Sequence, residues 1–174
     1  MATIQARLAQ GDQAAFAELY DACAARVGHY LLVRLRSRDD ADDVLQETFL
    51  RLARIRHKLA DVDDLDAYVI TTARNEAARR AASNARRQKT QTPLDCQDLF
   101  CCRPNDADAR ETAETVATAL SQLSVDSREI VELKTYAGLT FQQISQVTGL
   151  PHGTVATIYR TALAKMQSWF ARQP

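Results

Sequence analysis

The side chains that most often carry catalysis are scattered along this chain. His29, His57 and His152 are its three histidines, and each reads as a surface or helix-end residue rather than a member of a triad. There is no glycine-rich phosphate loop and no His-Glu-x-x-His helix, so no enzyme signature remains. Cys23 falls at a core-like helical position. Cys96, Cys101 and Cys102 lie within seven residues of one another, in a segment that also holds Pro93 and Pro104. They form no Cys-x-x-Cys pair and have no histidine nearby, so neither a zinc site nor a cofactor is expected. A thiol or metal sensor at these three cysteines stays open as an alternative role.

Charge points instead to binding. The 22 basic and 22 acidic residues cancel, yet they are segregated. Asp39, Asp40, Asp42, Asp43 and Glu47 form a run without a base. Arg74, Arg79, Arg80, Arg86, Arg87 and Lys89 form a run with one acid, Glu76. Separation of this kind implies two surfaces with different partners, one anionic and one basic; two solvated helix faces are the plainer reading.

The elements that position these residues are helices. Gly and Pro total nine in 174 residues, against 29 alanines, which predicts an all-α fold. Phe16, Leu19, Tyr20, Cys23, Val27, Tyr30 and Leu31 recur at spacings of three and four. They mark one helix stripe, with Asp12 as N-cap after Gly11. Ser37 and Asp40 resemble a capping box opening a second helix, striped by Leu45, Thr48, Phe49, Leu52, Ile55 and Leu59. Ala60–Asp64 breaks that pattern, and a third helix runs from about Leu65 to Arg87, apolar at Leu65, Tyr68, Val69, Thr72 and Ala73. From Lys89 to about Asp106 periodicity is lost, which suggests a flexible interdomain linker. The expected organisation is therefore two small helical domains, 1–89 and 107–174, joined by a linker over 90–106.

The second block begins near Ala107. Val116, Leu120 and Leu123 share a stripe, and Ile130, Val131, Leu133 and Lys134 belong to a helix ending at Gly138. Thr140 and Gln143 form a second capping box, opening a short helix over Phe141–Val147. Gly149 breaks it, Pro151 suits a first helical turn, and Thr154–Phe170 reads as the closing helix. A short helix, a glycine turn and a longer helix make a helix-turn-helix, whose second helix enters the DNA major groove. No apolar run approaches the length of a membrane span, and Met1–Gln10 lacks a signal-peptide layout, so the expected location is the cytoplasm.

Two stretches carry a family resemblance. Asp42-Asp-Val-Leu-Gln-Glu-Thr-Phe-Leu-Arg-Leu, preceded by Ala15-Phe-Ala-Glu-Leu-Tyr, resembles region 2 of bacterial sigma factors. Ala119-Leu-Ser-Gln-Leu, Gly138-Leu-Thr-Phe-Gln-Gln-Ile and Gly153-Thr-Val resemble their region 4. Both occur in order with no region 3 between, and the chain is similar to the extracytoplasmic-function (group 4) sigma factors. The resemblance implies a non-enzymatic factor that binds core RNA polymerase and directs initiation by recognising −10 and −35 promoter elements. It leaves room for an anti-sigma factor as a further partner.

The resemblance also assigns roles. Asp43, Gln46, Glu47, Leu50 and Arg54 would dock on the clamp of the largest polymerase subunit, and their spacing puts them on one helix face. Tyr68, Arg74, Asn75, Arg79 and Arg80 align with the −10 reader, Asn75 for a base and the arginines for phosphates. Tyr68 stands where many relatives carry tryptophan, and its reading as a core aromatic stands ahead of a base contact. Asp61, Asp63, Asp64 and Asp66 crowd where relatives approach DNA, a departure from the family pattern. In the recognition helix, Thr154, Thr157 and Arg160 are the candidates for −35 contact. Relatives commonly carry bases just after Gly-Thr-Val, whereas here Arg160 and Lys165 are the first. A stand-alone helix-turn-helix regulator is the other class; it would need a dimerisation or ligand domain that the first block does not signal.

Overall fold

A computed structural model describes residues 3–88 and 115–172. Cys96, Cys101, Cys102 and the expected linker over 90–106 lie outside the described residues, as does the start of the second block near Ala107. The chain divides into two compact units, Met1–Asp95 and Cys96–Pro174. Among the described residues every regular element is a helix.

The N-terminal unit opens with α1 (Ile4–Ala9), a short helix that packs against a 3-10 turn over Arg56–Asp61. The long α2 (Gln13–Leu35) starts at Asp12, whose Oδ1 accepts the backbone N–H groups of Ala14 and Ala15 at 2.9 and 3.4 Å. Its second carboxylate oxygen takes Arg7 Nε at 2.7 Å, and Arg7 also reaches Glu18 at 3.0 Å. The arginine's hydrogen bond holds the Asp12 carboxyl below the usual carboxylate range. The far end of α2 carries no sequence signal. There Arg36 adopts a left-handed conformation (φ 54°) and donates its N–H to the Leu32 carbonyl, a position that usually calls for glycine.

Leu19, Cys23, Val27, Tyr30 and Leu31 of the predicted α2 stripe are buried, but Tyr20 is 46% exposed and Phe16 half-buried. Helix α3 (Arg38–Arg54) begins as expected at Ser37, whose hydroxyl accepts the Asp40 N–H at 3.2 Å. The predicted box is only half made, because the Asp40 carboxylate turns to α4 instead. The predicted α3 stripe also shifts. Ala41, Val44, Thr48 and Leu52 are buried while Leu45 and Phe49 are half-buried, and α3 stops at Arg54, before the expected break. Leu59 is fully buried, but from the 3-10 turn.

Helix α4 (Leu65–Gln88) spans the predicted third helix and lies against both α2 and α3. Its buried face is Ala67, Val69, Ile70, Thr72, Ala73 and Ala77. Alanines there let the helices approach closely. The buried hydroxyls of Thr48 and Thr72 are satisfied by donating to the carbonyls four residues back, Val44 at 2.7 Å and Tyr68 at 2.9 Å.

The C-terminal unit consists of α5 (115–121), α6 (Val125–Thr135), α7 (Phe141–Thr148) and α8 (His152–Phe170). Helix α6 ends three residues before Gly138, whose positive φ of 68° turns the chain back so that Leu139 N–H meets the Leu133 carbonyl. Thr140 and Gln143 close the full reciprocal capping box at 3.2 and 2.8 Å. Gly149 caps α7 in the left-handed region (φ 75°). Pro151, with φ −58° and ψ 140°, stands just outside α8, which therefore starts at His152, two residues earlier than the pattern predicts. Leu139, Ile144, Val147, Val155 and Ala162 are buried, and α8 packs against both α6 and α7.

Candidate functional site

In the N-terminal unit, α3 presents the predicted docking residues together. Asp43, Gln46, Glu47, Leu50 and Arg54 are all exposed, and Leu50 is 51% exposed despite its apolar side chain. Beside them the rings of Tyr20 on α2 and Phe49 on α3 meet at 4.8 Å between centroids, which accounts for an exposed tyrosine within an otherwise buried stripe. A face with carboxylates, an amide and an uncovered leucine suits a partner that is both cationic and apolar.

The basic run lies along α4, and the structure revises the two-surface reading of charge. Arg80 reaches across to α3, with one terminal nitrogen 3.0 Å from Asp40 and the other 3.1 Å from Asp43. Asn84 donates to the second oxygen of Asp40 at 2.8 Å. Glu76, the lone acid of the run, binds Arg51 of α3 and Arg79 of its own helix, each at 2.9 Å. A groove of about 240 Å³ runs between the helices, lined by Val44, Glu47, Glu76, Arg79, Arg80 and Ser83. The acidic and basic runs therefore meet along one helix–helix seam. Sequence periodicity misses this because the partners across the seam lie 25 to 44 residues apart.

Among the remaining candidates on α4, Asn75 is exposed, Arg74 half-buried and Tyr68 half-buried. Two of the four crowded aspartates have structural roles. Asp64 Oδ1 accepts the Ala67 N–H at 2.9 Å and caps α4, and Asp66 pairs with Arg26 of α2 at 2.8 Å. The first has a sequence signal that was available, an Asp directly before an apolar-periodic helix. The second has none, since Arg26 lies 40 residues away.

In the C-terminal unit, the turn between α7 and α8 is fixed by hydrogen bonds. Ser145 Oγ donates to the Leu150 carbonyl at 2.6 Å, and Thr148 Oγ1 donates to Ile144 at 2.7 Å while accepting from Leu150 N–H at 3.4 Å. Phe141 seats the helix start from below, 6.2 Å from His152 and 5.4 Å from Tyr159. Lys134 Nζ lies 5.2 Å over the Phe141 ring and donates to the Leu139 carbonyl at 3.0 Å. Above this support, Thr154, Thr157 and Arg160 are exposed at successive steps of three along α8. Thr157 donates its hydroxyl to Gly153 and Arg160 its Nε to Ala156, so both are pre-set on the helix surface.

Cys23 is buried at 2% exposure and its thiol donates to the Leu19 carbonyl at 2.9 Å. Burial pushes its pKa up to about 11, the mark of a packing residue rather than a reactive one. Among the described residues no group of three His, Cys, Asp or Glu side chains could hold a metal ion. No helix among them is long and apolar enough to cross a membrane.

The fold and these faces define a helix-turn-helix protein with a second, separately packed helical unit. Comparison with known proteins gives the family. The sigma-70 region 2 pattern matches residues 19–87, and the sigma-70 region 4 pattern matches residues 113–166. The chain is 31% identical over 153 residues to RNA polymerase sigma factor CarQ of Myxococcus xanthus, covering 84% of each protein. It is 28% identical over 162 residues to the ECF RNA polymerase sigma factor RpoE of Cereibacter sphaeroides, covering 90% of this chain and 86% of that one. In fold it is similar to a sigma factor RpoE solved with the anti-sigma factor NepR from Bartonella quintana, with a TM-score of 0.70, 18% identity and coverage of 91% and 98%. The chain belongs to the extracytoplasmic-function RNA polymerase sigma factors, which bind core RNA polymerase and direct initiation at promoters.

Proposed function

We propose a division of that task between the faces described above. The exposed α3 face (Asp43, Gln46, Glu47, Leu50 and Arg54) docks the polymerase clamp. Helix α4, through Arg74, Asn75, Arg79 and Arg80, engages the −10 element, with Tyr68 packing the helix rather than reading a base. Helix α8, through Thr154, Thr157 and Arg160, engages the −35 element. Residues 90–106 tether the two units, and the protein works in the cytoplasm, where the polymerase is. An anti-sigma factor is a further partner, as for the Bartonella quintana relative.

The observation that carries the docking assignment is the uncovered leucine among exposed charges on α3. Leu50 gains nothing by facing water, whereas burying its exposed half against a partner is worth about 0.8–1.5 kcal/mol, half the value for a fully exposed side chain of its size. The test is transcription in vitro with added core polymerase, paired with a core-binding titration of Glu47→Lys. Wild type should support promoter-dependent initiation. The charge reversal should weaken core binding at least tenfold while leaving the circular dichroism spectrum intact, since Glu47 is exposed. Unchanged core affinity would remove α3 from the interface.

A further inference from the structure

We propose that Arg80 couples the two faces of the N-terminal unit: in the free chain Asp40 and Asp43 hold it, and a cationic partner seated on α3 releases it to a nucleic-acid phosphate. The proposal rests on the reading of α3 as the polymerase face and α4 as the DNA face.

The geometry is asymmetric in a way that suits release. Asp40 is the inner carboxylate, 21% exposed, bound on its other oxygen by Asn84 and lying in the first turn of α3, where the helix dipole favours an anion. Asp43 is the outer one, 59% exposed, and belongs to the docking face. Arg80 spans the pair with its two terminal nitrogens, using a fork that a lysine could not reproduce. One guanidinium between two carboxylates leaves a net negative patch, which repels phosphate. A cation that takes Asp43 leaves Arg80 facing one carboxylate, neutralises the patch and frees half of the fork. The neighbouring network has the opposite balance. Glu76 is shared by Arg51 and Arg79, two cations on one acid, so Arg79 needs no such release. In the free chain this contact then lowers the affinity for DNA.

The test uses the full chain without polymerase, titrated against a fluorescent promoter duplex at several salt concentrations. Asp40→Asn/Asp43→Asn should tighten DNA binding by about two- to fivefold, the scale of a partly exposed ion pair, and steepen the salt dependence by about 0.9. The same double change in an Arg80→Gln background should give no such gain. Asp39→Asn/Asp42→Asn removes the same charge without touching Arg80 and should give a clearly smaller gain. Asp43→Asn alone, at the exposed position, repeats the test should the double variant fail to fold, with a gain in the same direction. An equal gain with Arg80 absent, an equal gain from the Asp39/Asp42 pair, or no gain at all would overturn the coupling. The core titration of Glu47→Lys reports on the docking assignment separately, so weakened core binding by that variant together with an Arg80-independent gain sinks the coupling alone.

Discussion

Replacing Gly149 by alanine isolates the backbone cost of the helix-turn-helix. Gly149 sits at φ 75°, and a Cβ built there meets nothing within 4 Å. The substitution therefore adds no clash, and its whole effect is left-handed strain, about 1–2 kcal/mol for an L-residue. Gly153 supplies the opposite case in the same unit. It lies in the first turn of α8, with ordinary helical backbone and open space where its Cβ would be. Gly153→Ala should stabilise by up to about 1 kcal/mol, through helix propensity.

The assay is urea unfolding followed by tryptophan fluorescence. Trp169 is the single tryptophan of the chain and sits on α8, so the signal reports the C-terminal unit alone. A unit this small unfolds with an m-value near 1 kcal/mol/M, so Gly149→Ala should lower the midpoint by about 1–2 M. Gly153→Ala should raise it, by up to about 1 M. A midpoint for Gly149→Ala within about 0.3 M of wild type, or shifts of the same sign for both variants, would refute the assignment of Gly149 as the turn's strained position.

Three further outcomes follow from the same residues. In holoenzyme, Arg79→Gln should weaken promoter binding and reduce the salt slope by about 0.9, measured by titration across salt concentrations; an unchanged slope would make Arg79 a purely structural partner of Glu76. The native Cys23 thiol should resist alkylation at neutral pH and react only on unfolding, read by mass spectrometry. Its folded pKa of about 11 lies above the ordinary value near 8.5, so its contribution is complete at neutral pH and stability falls as pH rises between those values. Replacing Cys96, Cys101 and Cys102 together with serine should leave transcription near wild type, whereas deleting about half of residues 90–106 should abolish it. An extended tether of about 18 residues reaches at most about 60 Å, so length rather than thiol chemistry is the constraint. Loss of activity in the triple serine variant would restore the sensor reading.

Most features with a local signature match the structure, the Asp64 cap of α4 being an exception. The caps at Asp12, Ser37 and Thr140 and the glycine at 149 all act within four residues of themselves, and each starts or stops a helix where the pattern puts it. Features without a local signature escaped. Arg36 takes a glycine's conformation, and α3 gives way to a 3-10 turn after Arg54 although the apolar spacing continues to Leu59. Periodicity could not separate those cases because Leu59 is buried either way. Thr48 and Thr72 fit the apolar stripes although they are polar, since each satisfies its hydroxyl within its own helix.

Charge pairing has no local signature, and it bears on function. Two runs of opposite sign look like two wholly separate surfaces while the chain is treated as a line, but in the fold some of their members pair. Once α3 and α4 pack side by side, Arg80 lies against Asp40 and Asp43, and Arg51 and Arg79 share Glu76. The cations open to a phosphate are then fewer than the sequence suggests, with Arg79 at 58% side-chain exposure more open than Arg80 at 27%. A chain with zero net charge whose best-placed arginine is already engaged should bind DNA poorly by itself. That weakness suits a factor whose access to promoters depends on polymerase. Asp43, on the face offered to a cationic partner, is also one of the two carboxylates that hold Arg80, so under the proposed coupling one event on α3 changes both contacts.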